Sequence, residues 1–260
     1  MLVAAAALAT AAPAYAGVIP IEPLEKGIFI SSEPSLTMYW QGTSSKALLI
    51  FIPGGEGKIG LKPGQTDHGA HFHQMLKRLT NPALTSGSFD VVLLDSPAEL
   101  SPRQPYPSAR GSSDHLVRIE STIRYYKEKT GLPIWLMGHS NGGISLTEFV
   151  KRMQKENKSD LVAGMIVSGA RSESDFNAPL NMPILFLHHK SDGCAKSSPD
   201  SAHSHYMKVK DINKSVTELA YVTDGEPESA EPCRSGHHMY FGANEQAAKL
   251  IDAFMLKASP

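Results

Sequence analysis

The stretch Pro133-Ile134-Trp135-Leu136-Met137-Gly138-His139-Ser140-Asn141-Gly142-Gly143 decides the reading of this chain. Its first five residues form a short apolar run of the kind that suits a strand buried on both faces. An amphipathic segment follows, with Ile144, Phe149, Val150 and Met153 at helical spacing. The junction matches G-x-S-x-G in the context this motif requires, strand before and helix after. In so tight a turn the residues two before and two after the serine crowd each other, which calls for Gly138 and Gly142. Ser140 is then held in a strained conformation with its hydroxyl lifted to the top of a sheet. The Asn141 N–H opens the helix and points into the same space, aided by the partial positive charge of a helix N-terminus.

Working outward, the same type of apolar run recurs at Ala47–Ile52, Phe89–Leu94, Val162–Ser168, Pro183–Leu187 and Val216–Val222. Helical periodicity lies between them, at His115–Tyr126 (Leu116, Ile119, Ile123, Tyr126), at Ile144–Met153 and at Glu245–Phe254. Strands alternating with helices predict an α/β fold with a mostly parallel sheet. Gly27–Ser31 and Leu36–Trp40, split by Glu33-Pro34, predict an opening antiparallel pair. Such sheets bind ligands beyond the carboxyl ends of their strands, so functional residues belong just after the apolar runs.

The residues at those positions carry chemistry. Pro53-Gly54-Gly55-Glu56-Gly57 follows Ala47–Ile52. Acyl transfer needs two N–H donors where an oxyanion forms, and glycines let a backbone approach that closely. Asn141 N–H is one donor, and Gly55, or else Glu56, supplies the second. His188-His189-Lys190-Ser191-Asp192-Gly193-Cys194 follows Pro183–Leu187 and offers Asp192 as an acid that orients an imidazole; Asp175, in a polar Ser-Glu-Ser-Asp run, is its rival. Downstream, Cys233-Arg234-Ser235-Gly236-His237-His238-Met239-Tyr240 provides two bases, His237 and His238. Cys194 and Cys233 sit beside acid and base, 39 residues apart, and a bridge between them would tie the two loops together.

Length and composition bound the alternatives. A chain of 260 residues buries roughly 70–75% of its unfolded surface and needs no metal or disulfide staple to fold. Balanced charge, 25 Lys and Arg against 26 Asp and Glu, gives −1 and argues against nucleic acid as a partner. Met1–Ala16 is a short Ala-rich apolar run ending in Ala14-Tyr15-Ala16, an A-x-A cleavage pattern, although no Lys or Arg precedes it. It predicts a signal peptide at residues 1–16 and a soluble periplasmic or secreted domain at 17–260, where Cys194 and Cys233 can oxidise. No cysteine follows the cleavage point to carry a lipid anchor, and no later segment has the ~20 apolar residues of a membrane span.

Other signals favour structure over chemistry. Asp67-His68-Gly69-Ala70-His71-Phe72-His73 has metal-ligand residue types, but His71 and His73 would not share a helix face, which favours rim or surface histidines. His203 and His205 read the same way, and a supporting hydrogen bond suits His188 and His189. Asp95-Ser96-Pro97 follows a strand at cleft height. Arg110, in the Pro/Ser-rich stretch 99–113, either shapes a pocket or belongs to a long connection.

Taken together, Gly138–Gly143, Pro53–Gly57, His188–Cys194 and Cys233–Gly242 resemble the α/β-hydrolase superfamily over residues 27–257. In that family a catalytic histidine is often followed four residues later by glycine and then by the last helix. His238 and Gly242 fit that spacing, and His237 does not. The resemblance implies a central sheet of about eight strands flanked by helices, no cofactor and no metal, and a Ser140-Asp192-His238 triad with Asn141 and Gly55 as oxyanion donors. The family's common oxyanion His-Gly is Pro53-Gly54 here. Only 14 positions separate Ser168 from Met182, too few for a helical cap, which favours small or surface-accessible acyl substrates. The implied activity is cleavage of a small carboxylic ester by a serine hydrolase. A peptidase or amidase of the same fold, or a non-catalytic binding protein on a hydrolase scaffold, are the alternatives.

Overall fold

The computed structural model describes residues 16–100, 109–177, 179–226, 230–234 and 236–259. Residues 1–15 of the expected signal peptide and 101–108 of the Pro/Ser-rich stretch lie outside the described residues. Eight strands form one sheet: β1 (Ala16–Ile21), β2 (Ser35–Trp40), β3 (Ala47–Ile52), β4 (Phe89–Asp95), β5 (Ile134–His139), β6 (Gly164–Ser168), β7 (Ile184–His189) and β8 (Thr217–Val222). Their order is β1-β2-β4-β3-β5-β6-β7-β8. β2 runs antiparallel to both β1 and β4, and every pairing from β4 to β8 is parallel.

The helices are α1 (His71–Lys77), α2 (Ser113–Thr130), α3 (Asn141–Lys155), α4 (Pro199–Ile212) and α5 (Asn244–Ala258). Alternation along β3 divides the core. Leu48, Ile50 and Ile52 pack with Ile119 and Ile123 of α2 and Leu146 and Phe149 of α3. Leu49 and Phe51 pack with Met75 and Leu76 of α1 and Ile251 and Phe254 of α5. A sheet covered on both faces needs strands apolar on both faces, hence the continuous Ala-Leu-Leu-Ile-Phe-Ile run. α2 starts where the Ser112 side chain accepts the His115 N–H, and it stops at Gly131, whose φ of 70° is left-handed.

One strand expectation is corrected. The partner of β2 is Ala16–Ile21, not Gly27–Ser31. The latter is a turn closed by a bridge between Gly27 and Ile30. Its backbone is claimed by α2: Ser31 N–H donates to Asp114, and Arg118 donates to Ser31 O and Glu33 O. Ile28 and Phe29 are left 97% and 85% exposed, so the segment has no buried face to justify sheet pairing.

The chain leaves β3 for β4 on one side and returns for β5 on the other, so the strand order reverses between β3 and β5. A crevice forms beyond the carboxyl ends of strands at such a point. The Gly-rich loop after β3 and the serine after β5 both open there. Among the described residues no helix lies between β6 and β7, and none is long and apolar enough to cross a membrane.

Candidate active site

Ser140 joins β5 to α3 with φ 53° and ψ −118°. This is a sparsely populated conformation for a residue with a side chain, at a cost of about 1–3 kcal/mol. Its N–H donates to Ser168 O at 2.9 Å, and its carbonyl accepts from Gly143 N at 2.9 Å, so both neighbouring strand and helix hold it. The flanking glycines are required by contact. A Cβ on Gly138 would stand 2.3 Å from Gly142 O, and one on Gly142 would stand 2.1 Å from Ile52 O. The elbow is thus pressed against the end of β3 as well as against itself.

The loop after β3 crosses directly over the elbow. A Cβ on Gly54 would meet His139 O at 2.8 Å and the Ser140 Cβ at 3.1 Å. Gly57 N–H donates to Gly54 O at 3.0 Å, closing a turn around Gly55 and Glu56. Asn141 Nδ2 donates to Gly55 O at 2.9 Å, so the residue after the serine fastens helix to loop.

Asp192 follows β7 and is 6% exposed. Its Oδ2 accepts His238 Nδ1–H at 2.8 Å, and its Oδ1 accepts Cys194 N–H at 2.9 Å. Two further donors reach Oδ2, Ser197 Oγ–H at 3.2 Å and His188 Nε2 at 3.2 Å. Burial opposes its charge, yet the His188 and His238 hydrogen bonds, the His238 charge and the Cys194 N–H together hold the carboxyl well below the usual range. Because His238 donates through Nδ1, its Nε2 points away from Asp192. That atom is buried and makes no hydrogen bond among the described residues. Ser140 and His238 both border one cleft without a hydrogen bond between them; such contacts are often long in unliganded enzymes and tighten with substrate. The Cys194–Cys233 disulfide joins the acid loop to the loop that carries His238.

The alternatives lie elsewhere. His237 donates from Nδ1 to Ser191 O and stacks on His189, with ring centroids 4.0 Å apart. Asp175 pairs with Lys208 at 2.6 Å near the surface. Asp95 does not face the cleft but accepts the N–H groups of Ile59 and Leu61, fixing the end of the Gly-rich loop. His68 and His73 bond to each other through Nδ1 at 2.7 Å, while Asp67 pairs with Lys77. Among the described residues no three His, Cys, Asp or Glu converge on a possible metal position. His205 donates to Arg171 O, and His189 to Asp224 O.

Sequence reasoning missed a second network beneath the elbow. Buried Tyr240, at φ 54°, donates its hydroxyl proton to Leu187 O at 3.0 Å. Ser168 Oγ–H therefore donates to Tyr240 Oη at 2.9 Å, and His139 Nδ1–H donates to Ser168 Oγ at 3.0 Å. His139 packs against His238, centroids 4.8 Å apart, and against Phe72 at 4.3 Å. Burial and then the neighbouring His238 push its pKa well below the ordinary histidine value, so it is neutral. The Pro-rich-loop residue Arg110 is likewise buried beside the Gly-rich loop.

The cleft above Ser140 has a volume of about 640 Å³. Phe51, Ile59, Phe72, Met239 and Phe241 form its apolar wall, and Glu56, Lys58 and Arg234 its charged border. That combination, apolar walls around a few convergent polar groups, is typical of a small-molecule site.

No protein-family model matches the chain, and no curated protein matches it in sequence. Solved structures do match in shape. A serine hydrolase without lid from Xanthomonas campestris is 10% identical, with a TM-score of 0.61 over 96% of this chain and 98% of its own. A dienelactone hydrolase from Anabaena variabilis is 11% identical, with a TM-score of 0.63 over 95% and 99%. A hyperthermophilic esterase from Pyrobaculum calidifontis is 13% identical, with a TM-score of 0.63 over 94% and 84%. With its eight-stranded, mostly parallel sheet, its strand–serine–helix elbow and these neighbours, the chain has the α/β-hydrolase fold.

Proposed function

We propose that this chain is a serine hydrolase that cleaves small carboxylic esters through an acyl-enzyme. One observation carries the reading: a strained elbow serine borders the same cleft as an imidazole whose far nitrogen is oriented by a buried carboxylate. In this mechanism Ser140 Oγ attacks the ester carbonyl as its proton passes to His238 Nε2. Asp192 holds the ring and balances the imidazolium charge. The oxyanion is met by the N–H groups of Asn141 and Gly55. The C–O bond to the alcohol breaks as His238 returns the proton to the leaving oxygen. Water, deprotonated by His238, then attacks the acyl-enzyme, releasing the acid and restoring Ser140. Among the described residues no helix stands between β6 and β7 to cap the cleft, which supports small or surface-accessible acyl groups.

Export belongs to the same reading. Cleavage before Gly17 would leave Gly17–Ile21 paired with β2, and an oxidising compartment suits the Cys194–Cys233 disulfide. N-terminal sequencing of the exported protein should begin at Gly17.

The test of activity is labelling of the purified chain with a fluorophosphonate, beside Ser140→Ala, followed by p-nitrophenyl esters of increasing chain length and a matched p-nitroanilide. Labelling that disappears in Ser140→Ala, with ester turnover far above anilide turnover, is expected. Anilide turnover at the ester rate would move the reading to an amidase. Absence of labelling in folded protein would move it to a binding protein.

A further inference from the structure

We propose that Arg110 is the positioning residue that builds the anion-binding face of the loop after β3; the inference rests on the hydrolase reading and deepens it. The Arg110 side chain is fully buried. Its Nη1 donates to Pro53 O at 2.9 Å, and its Nη2 donates to Gly54 O at 3.2 Å and Gly55 O at 2.8 Å. Three successive carbonyls thus converge on one guanidinium.

The geometry of the peptide unit supplies the consequence. In a trans peptide C=O and N–H point in opposite directions. With the carbonyls of Pro53, Gly54 and Gly55 turned to Arg110, the N–H groups of Gly54, Gly55 and Glu56 face the other way. The Pro53–Gly57 loop borders the cleft beside Ser140, and Gly54 lies against the elbow itself. Successive N–H groups on one concave side form a nest for an anion. Both donors weighed from the sequence, Gly55 and Glu56, belong to it.

Asn141 Nδ2 also donates to Gly55 O and Gly57 N–H to Gly54 O, but of these donors Arg110 alone reaches all three carbonyls and carries a charge. Three carbonyl dipoles aimed at one point repel one another, a cation between them removes that repulsion, and Gly54-Gly55 is the pair of residues freest to flip its peptide. A flipped peptide would turn a carbonyl oxygen toward the developing oxyanion. Arg110 is itself tethered: Nη1 donates to Ser145 Oγ on α3 at 3.2 Å, and Ser145 passes its proton to His115 Nε2 on α2 at 2.8 Å. A planar fork with five donors meets several acceptors at fixed angles, whereas an ammonium offers three donors on a flexible stem.

The experiment compares wild type, Arg110→Gln, Arg110→Lys and Arg118→Gln as full chains. Arg118 is the matched control, equally buried but bound to Asp114, Ser31 O, Glu33 O and Ser35 Oγ, with no hydrogen bond to the loop. For Arg110→Gln the ester kcat should fall about 10²–10³-fold, the range for losing an oxyanion donor, with KM within about threefold. Arg110→Lys should fall between it and wild type, and stands in for it if Arg110→Gln does not fold. Arg118→Gln should keep its kcat and lose melting temperature. The amide ¹H–¹⁵N signals of Gly54, Gly55 and Glu56 should move in both Arg110 variants and stay in place in Arg118→Gln. An Arg110 variant with wild-type kcat, a loss confined to KM, or unmoved Gly54–Glu56 signals would overturn the inference. A wild-type chain that no fluorophosphonate labels would instead overturn the hydrolase reading, and the amide signals would still decide for or against Arg110.

Discussion

Acid should unfold this protein through histidines rather than carboxylates, and His73 allows the size of the effect to be worked out. His73 lies on α1, buried beside Phe51 and donating from Nδ1 to His68, whose Nδ1 also accepts Ala70 N–H. Burial first, and the neighbouring His68 second, lower its pKa from 6.5 to about 3. The unfolded chain therefore takes up a proton near 6.5 that the folded chain refuses until about pH 3. Stability is whole above pH 6.5 and is lost as pH falls across that window. At pH 5, 1.5 units below the unfolded value, the loss is about 2 kcal/mol for this residue, at ~1.36 kcal/mol per unit. His115 and His139, both pushed far down by burial, add losses of the same sign. Asp192 works in a lower window: its depressed pKa stabilises the fold above the ordinary carboxyl range and is lost only below it. Asp95, raised by burial, has the opposite sign. Urea unfolding of wild type and His73→Phe at pH 8 and pH 5, followed by circular dichroism, isolates the term. The drop in unfolding free energy between the two pH values should be smaller in His73→Phe by about 2 kcal/mol, a large share of a typical 5–15 kcal/mol total. Equal drops in the two proteins would show that His73 binds protons alike in both states, and the argument from burial would be wrong.

The remaining predictions concern the tethers of the site. Cys194→Ser with Cys233→Ser removes a link across 39 residues; by loop entropy this should cost about 4 kcal/mol, read as a drop in melting temperature of about 8–16 °C, and an unchanged transition would mean that the bridge adds no constraint. Asp192→Asn keeps the shape of the hub but brings an amide N–H into a site already supplied by His238, Ser197 and His188; ester kcat should fall about 10⁴-fold with the fold retained in circular dichroism, and near-wild-type turnover would remove Asp192 from the mechanism. Gly142→Ala puts a methyl 2.1 Å from Ile52 O, backbone that cannot rotate aside; the variant should be insoluble or lose labelling of Ser140, and a normally reactive variant would refute the close packing of elbow on β3.

What the sequence made legible is what burial writes locally. A parallel strand covered on both faces is apolar on both, so Ala47–Ile52 of β3, residues 91–94 of β4, 134–137 of β5 and 184–187 of β7 stand out as runs. The elbow and the acid follow such runs within a few residues and were visible for that reason. β1 was hidden because Ala16–Ile21 begins on the last residue of the Ala-rich run Met1–Ala16 and contains Pro20, which an edge strand tolerates. α4 was hidden because it buries only Ala202 and Val209, too little for a periodic signal, although Ser198 and Pro199 mark its start. The supports of the site left no local trace. Tyr240 reaches Ser168 across 72 residues, and Arg110 reaches Pro53 across 57. No spacing rule connects such pairs; only the closed sheet does.

The protonation pattern around the elbow follows from those distant contacts. The Tyr240 proton is committed to Leu187 O, which forces Ser168 to donate to Tyr240 and His139 to donate through Nδ1. His139 Nε2 is then a lone pair, buried and without a partner among the described residues. Two imidazoles lie within 5 Å of each other, yet only His238 has a carboxylate on its Nδ1. In the proposed mechanism a charge on His139 would oppose the imidazolium forming on His238, and burial keeps that charge away. His139 therefore serves as an aromatic wall, stacked on Phe72, rather than as a second base. The proton of the residue between Gly138 and Ser140 is fixed on Nδ1 by a chain of hydroxyls that ends on β7, the strand that Asp192 follows. The sheet that sets Asp192 beside His238 Nδ1 thus also sets a hydroxyl, and not a carboxylate, beside His139 Nδ1.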